Sequence, residues 1–65
     1  MQEWEYCSIG TVGAITTIYY SRSTGTATEQ ISGNGPADSE SKAIAKLGEE
    51  GWEMVAPQYF KRPKS

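Results

Sequence analysis

Carboxylates are the acid–base side chains that this sequence offers, because it contains no histidine. Histidine is the residue most often used near neutral pH for proton transfer and for metal binding. Serine and threonine are abundant, but no histidine and no obvious lysine is placed to activate a hydroxyl. The carboxylates of Glu49, Glu50 and Glu53 have no nucleophile beside them, and they predict a solvated acidic face. We therefore expect a protein that is not an enzyme.

The chain contains a single cysteine, Cys7, which excludes sites that need two or more thiols. One cysteine forms no internal disulfide, no zinc site built from several thiolates and no C-x-x-C redox pair. Its position in an alternating segment predicts a small buried side chain on a strand. The glycines of Gly33-Asn34-Gly35-Pro36 lack the strand–helix context and the third glycine of a dinucleotide fingerprint, and there is no P-loop. No metal and no cofactor is expected.

Aromatic side chains are better candidates for a binding site than any catalytic group. Consecutive strand residues point to opposite faces, so one of Tyr19 and Tyr20 must leave the core. Such a tyrosine is either exposed or a subunit contact, or it is a platform for a planar ligand whose phosphates are bound by nearby cations. The candidate ligand-binding residues are Tyr19, Tyr20, Arg22, Tyr59, Lys61 and Arg62.

The overall charge argues against general nucleic-acid binding, which depends on neutralising phosphates. The formal net charge is −2 and the pI is about 4.9. The basic residues Lys61, Arg62 and Lys64 are interpreted as a solubilising tail that protects a strand edge. No apolar run approaches the roughly 20 residues that cross a membrane, and the acidic start does not resemble a secretory signal. We expect no membrane partner and a cytoplasmic location, in a bacterial cell or a phage-infected host cell.

Hydrophobic periodicity predicts strands in the first half of the chain. Residues 3–9 alternate in polarity, and residues 14–21 are rich in β-branched and aromatic side chains. The two segments predict an antiparallel hairpin with its turn at residues 10–13, where two glycines lie. A weaker third strand over residues 26–32 is expected at the edge of the sheet. Residues 21–36 are then either a mobile hairpin or a binding loop.

The second half of the chain predicts one helix, over about residues 37–50, with Ala43, Ile44 and Leu47 as its buried stripe. Gly51 is predicted to end this helix in a left-handed conformation, which brings the side chains of Leu47 and Trp52 together in a Schellman motif. Short strands are expected on both sides of Pro57-Gln58. The predicted fold class is α+β: a single domain, residues 1–65, whose antiparallel sheet of four or five strands, in ββ(β)αββ order, carries the helix on one face.

The core is expected to rest on tryptophan and tyrosine more than on aliphatic residues, because the chain contains only one leucine. Trp52 and Phe60 are predicted core residues, and Trp4 and Tyr6 are predicted to pack against the same helix. A chain below about 70–80 residues rarely gains more than about 3–5 kcal/mol from its core without a cross-link, a metal or a partner. We therefore expect a homo-oligomer.

Motifs at both ends of the chain resemble a family of small bacterial and phage proteins, grouped as domain of unknown function 4177. They are Trp4-Glu5-Tyr6, the helix exit Leu47-Gly48-Glu49-Glu50-Gly51-Trp52-Glu53-Met54-Val55, and Tyr59-Phe60-Lys61-Arg62-Pro63. Residues 8–36 do not match, and Ala56-Pro57-Gln58 is shorter than the hairpin of the relatives. The resemblance implies a curved antiparallel sheet with one helix and a bacterial or phage origin, and it implies no catalytic residue.

These observations predict a non-catalytic, oligomeric binding module. In its sharpest form it is a phage-type counter-defence protein that binds and sequesters a nucleotide-derived small-molecule signal between its copies. The alternative is a protein–protein adaptor or inhibitor, which docks a partner through a strand edge or through the loop of residues 21–36.

Overall fold

A computed structural model describes residues 3–22 and 25–63 of the chain. The elements are β1 (Trp4–Val12), β2 (Ile15–Arg22), β3 (Gly25–Ser32), α1 (Pro36–Glu49), β4 (Glu53–Ala56) and β5 (Tyr59–Pro63). The strands form one antiparallel sheet in the order β3-β2-β1-β5-β4, and α1 packs across β1, β2 and β3 on one face. This arrangement confirms the predicted α+β class. No helix among the described residues is long and apolar enough to span a membrane.

The turn between β1 and β2 comes later in the chain than predicted. β1 continues through Gly10 to Val12, which pairs with Ile15. Gly13 has a φ of +60°, the left-handed conformation that two-residue hairpin turns favour and that glycine adopts without strain. Gly10 stays in the strand, where a Cβ atom would contact the ring of Tyr19 at 3.5 Å. Only the second of the two glycines therefore makes the turn.

The two edges of the sheet are β3 and β4. The edge position of β3 confirms the third strand, so most of residues 21–36 form a hairpin strand rather than a loop; residues 23–24 lie outside the described residues. β5 lies between β1 and β4, so the prediction that Lys61 and Arg62 protect a strand edge is wrong. The hairpin at Gln58, whose φ is +69°, reverses the chain and places β5 inside the sheet. Lys64 is outside the described residues.

Helix α1 ends in the Schellman motif that the sequence predicts. Gly51 has a φ of +87°. The amide of Trp52 donates to the carbonyl oxygen of Leu47 at 2.9 Å, and the amide of Gly51 donates to that of Gly48 at 3.2 Å, the two bonds that define the motif. Leu47 and Trp52 are both buried. The conformation of the helix end therefore places the side chain of Trp52 in the core.

The core lies between α1 and the sheet face that α1 covers, which we call the helix side. Its buried members are Cys7, Ile9, Ile18, Ala43, Leu47, Trp52 and Phe60, with Ile44 partly buried against them. Trp52 and Phe60 are thus confirmed as core residues, and Cys7 as a buried strand residue. The prediction that tryptophan and tyrosine dominate the core is wrong, because aliphatic side chains fill its centre and the tyrosines lie at its margin or outside it.

The faces of β1 are the reverse of the prediction. Trp4 and Tyr6, predicted to pack against the helix, point to the opposite face, where 40% and 52% of their surface is exposed. Cys7 and Ile9 occupy the helix side instead. A period of two defines two faces without saying which is covered. Ala43 of α1 is fully buried and belongs to the same core cluster as Cys7 and Ile9.

A chain of hydroxyl groups, which the sequence pattern does not predict, links the helix to the sheet. Thr16 and Ser39 are fully buried, and their hydroxyl oxygens lie 2.9 Å apart. Thr11 adds a contact of 2.7 Å to Thr16, and the Ser39 hydroxyl donates to the carbonyl oxygen of Pro36 at 3.1 Å. Each buried hydroxyl therefore has the partner that a buried polar group requires.

Candidate functional site

The predicted site residues lie on two different faces of the sheet. Tyr20 and Arg62 are on the helix side, whereas Tyr19, Tyr59 and Lys61 are on the other face. The side chain of the sixth candidate, Arg22, lies outside the described part of the structure. We call the uncovered face the open face, and its large apolar residues are Trp4, Tyr6, Val12, Ile15, Tyr19 and Tyr59.

Arg62 lines a cleft of about 240 Å³ on the helix side, together with Tyr20. Its Nε donates to Glu5 at 2.6 Å, and its Nη1 donates to the carbonyl oxygen of Glu50 at 2.9 Å. Its guanidinium also lies 4.4 Å from the centre of the Trp52 ring. The charge and the donors of Arg62 therefore serve contacts within the chain, and they hold β5 against β1 and the end of α1.

Tyr20 belongs to a second network in the same cleft. Its hydroxyl donates to Glu29 at 3.1 Å, and Lys46 lies 3.1 Å from Glu29 and 2.7 Å from Glu50. The hydrogen bond from Lys46 is the main cause of the lowered pKa of Glu29. Burial, and then the bond to Glu29, raises the pKa of Tyr20. Lys46, like Arg62, is paired with carboxylates, so the cleft is a poor site for a phosphate.

The open face presents a row of three residues across neighbouring strands. Ser8 of β1 pairs with Tyr19 of β2 on one side and with Tyr59 of β5 on the other. Strands lie about 4.8 Å apart, so the two tyrosines start about 10 Å apart with only the small Ser8 between them. The ring of Tyr19 extends over β1, where its Cε2 lies 3.5 Å from the position that a Cβ of Gly10 would take. With 44% and 58% of their surfaces exposed, Tyr19 and Tyr59 are accessible to a planar ligand.

Lys61 adds a positive charge to this face. Its Nζ lies 4.2 Å from the centre of the Trp4 ring. The other cations whose side chains are described, Lys42, Lys46 and Arg62, each form an ion pair with a carboxylate. Lys61 forms none within the described part of the chain. It is therefore the described cation best able to meet an anionic ligand.

Sequence reasoning missed Trp4, Tyr6 and Ser8 as members of this surface. The alternation that it recognised already placed these three residues on one strand face. The missing information was the pairing of β1 with β5, which brings Lys61 opposite Tyr6 and Tyr59 opposite Ser8.

Other reactive groups are placed as the sequence predicts. Burial raises the pKa of the Cys7 thiol to about 11, so it is protonated at neutral pH and is a weak nucleophile. Glu49, Glu50 and Glu53 are exposed, as expected for a solvated acidic face. Among the described residues, no group of three or more His, Cys, Asp or Glu side chains is placed to bind a metal ion.

Comparison with known proteins adds no assignment: no family model, curated protein or solved structure matches the chain. The resemblance to domain of unknown function 4177 is untested by these comparisons and stays a prediction. The geometry of the open face is therefore the basis on which a function can be proposed.

Proposed function

We propose that this chain is a non-catalytic binding module that works as a homo-oligomer and binds a nucleotide-derived small molecule on its open face. The observation that carries this proposal is the row of Tyr19, Ser8 and Tyr59. Lys61, which forms no ion pair among the described residues, lies on the same face. Aromatic rings stack on nucleobases, and a lysine ammonium binds phosphate as a point charge. The open face thus offers a partner for each half of a nucleotide.

The proposal includes a homo-oligomer because one copy is too small to enclose a ligand. Small-molecule sites usually bury 70–90% of a ligand's surface, and a single sheet face cannot enclose that much. The open face of a second copy would cover the side of the ligand that the first copy leaves exposed. A protein that encloses such a molecule without transforming it acts by sequestration, which is the role of a phage-type counter-defence protein that traps a signal.

A thermal-shift screen against cyclic dinucleotides and ADP-ribose derivatives tests the ligand. At a ligand concentration 100 times Kd, binding raises the free energy of unfolding by about 2.7 kcal/mol, which for a chain of this size raises Tm by roughly 10 °C or more. Tyr59→Ala and Lys61→Ala should each reduce the shift. Lys42→Ala removes an exposed helix cation and serves as the control. A panel without any shift would contradict the proposed ligand.

The alternative function, a protein–protein adaptor, is favoured by the exposed edge of β3. Its register with β2 is continuous over eight residue pairs, and the strand contains neither lysine nor proline. The other edge, β4, has four residues, an irregular register and Pro57 after it. An unprotected edge strand is suited to pairing with a strand of a partner.

A pull-down with two variants separates the adaptor from the sequestering module. A protein partner that binds through β3 should be retained by the wild type and by Tyr59→Ala, but lost with Gln30→Pro, which changes only the edge strand. Circular dichroism would show that the proline variant is folded. Loss of the partner with Tyr59→Ala alone would contradict docking through β3.

A further inference from the structure

We infer that the open face is the contact surface of a two-fold symmetric homodimer, in which a second copy packs face to face on the first. The inference rests on the oligomeric binding module proposed above, and it names the surface through which the copies meet. It requires that this face be apolar, free of repulsive charge and large enough for a stable contact.

The open face concentrates the exposed apolar surface of the chain. Eight large hydrophobic residues are exposed among the described residues, and six of them lie on this face. The other two, Met54 and Val55, lie on the edge strand β4. α1 covers the opposite face of the sheet, so the fold itself leaves these six uncovered. Exposed apolar side chains gathered on one face are typical of a protein contact.

The charges on the open face favour self-association. Among its described strand residues, Lys61 and Glu53 are the charged ones, and they are opposite each other on neighbouring strands. The face is thus close to neutral, although the chain carries a net charge of −2. The core of a protein interface is depleted of charged residues in the same way. Two copies therefore meet through this face without like-charge repulsion.

The area of the face is sufficient for a dimer. The five strands contain 34 residues, each of which occupies about 3.4 by 4.8 Å of the sheet, so the face measures roughly 550 Å². A contact over the whole face buries about 550 Å² per copy, or about 1,100 Å² in total, just above the roughly 1,000 Å² expected of a specific interface. The ring of Tyr19 lies beside Gly10, so the second copy would contact this ring directly.

Sedimentation equilibrium without any ligand tests the dimer. The wild type should have a mass of twice 7.1 kDa at micromolar concentration. Tyr19→Ser and Tyr59→Ser should each raise the dimer dissociation constant at least about tenfold, as the loss of a buried aromatic contact predicts. Met54→Ser is the matched control: 49% of the surface of Met54 is exposed, and it pairs with Phe60 on the helix side. Circular dichroism would verify that each variant is folded.

Three outcomes would overturn the inference: a monomeric wild type, a trimeric mass, or a dimer that the tyrosine variants weaken no more than Met54→Ser does. The ligand is judged by a separate measurement. If the protein is monomeric but a ligand raises its Tm, the dimer is refuted and the proposed ligand binding is supported. If the protein is a dimer but no ligand raises its Tm, only the proposed ligand binding is refuted.

Discussion

Single residues show which chemical groups the fold uses for contacts within the chain. Cys7 is 3% exposed, and its pKa is raised to about 11 by burial. Arg62 is held by Glu5, by the backbone of Glu50 and by the Trp52 ring. A cysteine and an arginine that could serve a reactive or binding site are therefore used for packing and bracing. Lys61, by contrast, remains available on the open face.

The buried thiol leads to a prediction at this scale. Because Cys7 is both protonated and covered, a thiol reagent such as a disulfide dye should modify it only when the chain opens. At neutral pH we expect modification of the native protein to be slower by orders of magnitude than that of the chain in guanidinium chloride. The absorbance of the released dye measures both rates. Equal rates would contradict a buried thiol.

At the scale of elements, the end of α1 and its link to β3 determine how the helix sits on the sheet. The Schellman motif at Gly51 turns the chain so that Trp52 packs near Leu47. Lys46 then joins Glu29 of β3 to Glu50 at the end of the helix. The packing of Trp52 depends on the backbone conformation at Gly51, so a substitution of that glycine tests it. The ion pairs of Lys46 depend on charge, so a change of pH tests them.

The helix ending predicts that alanine substitutions at Gly48 and Gly51 change the free energy of unfolding in opposite directions. Gly51→Ala should lower the free energy of unfolding by about 1 kcal/mol or more, because alanine is strained at a φ of +87°. Gly48→Ala, within the helix and with no atom within 4 Å of its added Cβ, should raise it by about 0.5–1 kcal/mol. Urea denaturation measures both. Equal effects of the two substitutions would refute the assignment of Gly51.

The link between α1 and β3 predicts a pH dependence of stability. The folded pKa of Glu29 lies below its ordinary value of 4.5, so the unfolded chain binds the proton more readily. The contribution of Glu29 to stability is therefore present above about pH 4.5 and is lost as the pH falls through the folded pKa. Lys46→Met should flatten this acid decline in denaturation curves, whereas Lys61→Met should not. Parallel profiles for wild type and Lys46→Met would contradict the link.

At the scale of the whole molecule, the chain is a sheet covered on one face and aromatic on the other. The covered face supplies a small core, and the open face supplies the surplus apolar surface. A face-to-face contact would bury that surplus, so folding and association are expected to be linked. In the proposed module the sheet has two roles: its helix side stabilises each copy, and its open face would hold the copies and a ligand together.

Linked folding and association predict that thermal stability depends on protein concentration. The Tm of the wild type should rise as the protein is concentrated, because the dimer forms only from folded chains. Tyr59→Ser should lower Tm and weaken its dependence on concentration, most strongly at the lowest concentrations. Melts by circular dichroism over a hundredfold range of concentration measure this. A wild-type Tm that is constant across that range would contradict the linkage.

The elements of the fold were largely predictable from the sequence, whereas the candidate site was predictable only in part. Residues 37–50 and Gly51 identify the helix and its end, and one of Tyr19 and Tyr20 does leave the core. Tyr20 and Arg62 were grouped with the open-face residues, although the fold places them on the helix side. Their partners come from distant parts of the chain, as in the pair of Glu5 and Arg62, which are 57 residues apart.

The sequence by itself determined what depends on neighbours along the chain: the period of two in the strands, the helical spacing, and the positive φ that glycine adopts after the helix. Only the tertiary structure decided that Trp4 and Tyr6 face away from α1 and that β5 lies inside the sheet. The physical reason is that alternation is a local property of a strand. Which face is covered depends on where α1, which begins 30 residues after Tyr6, packs against the sheet.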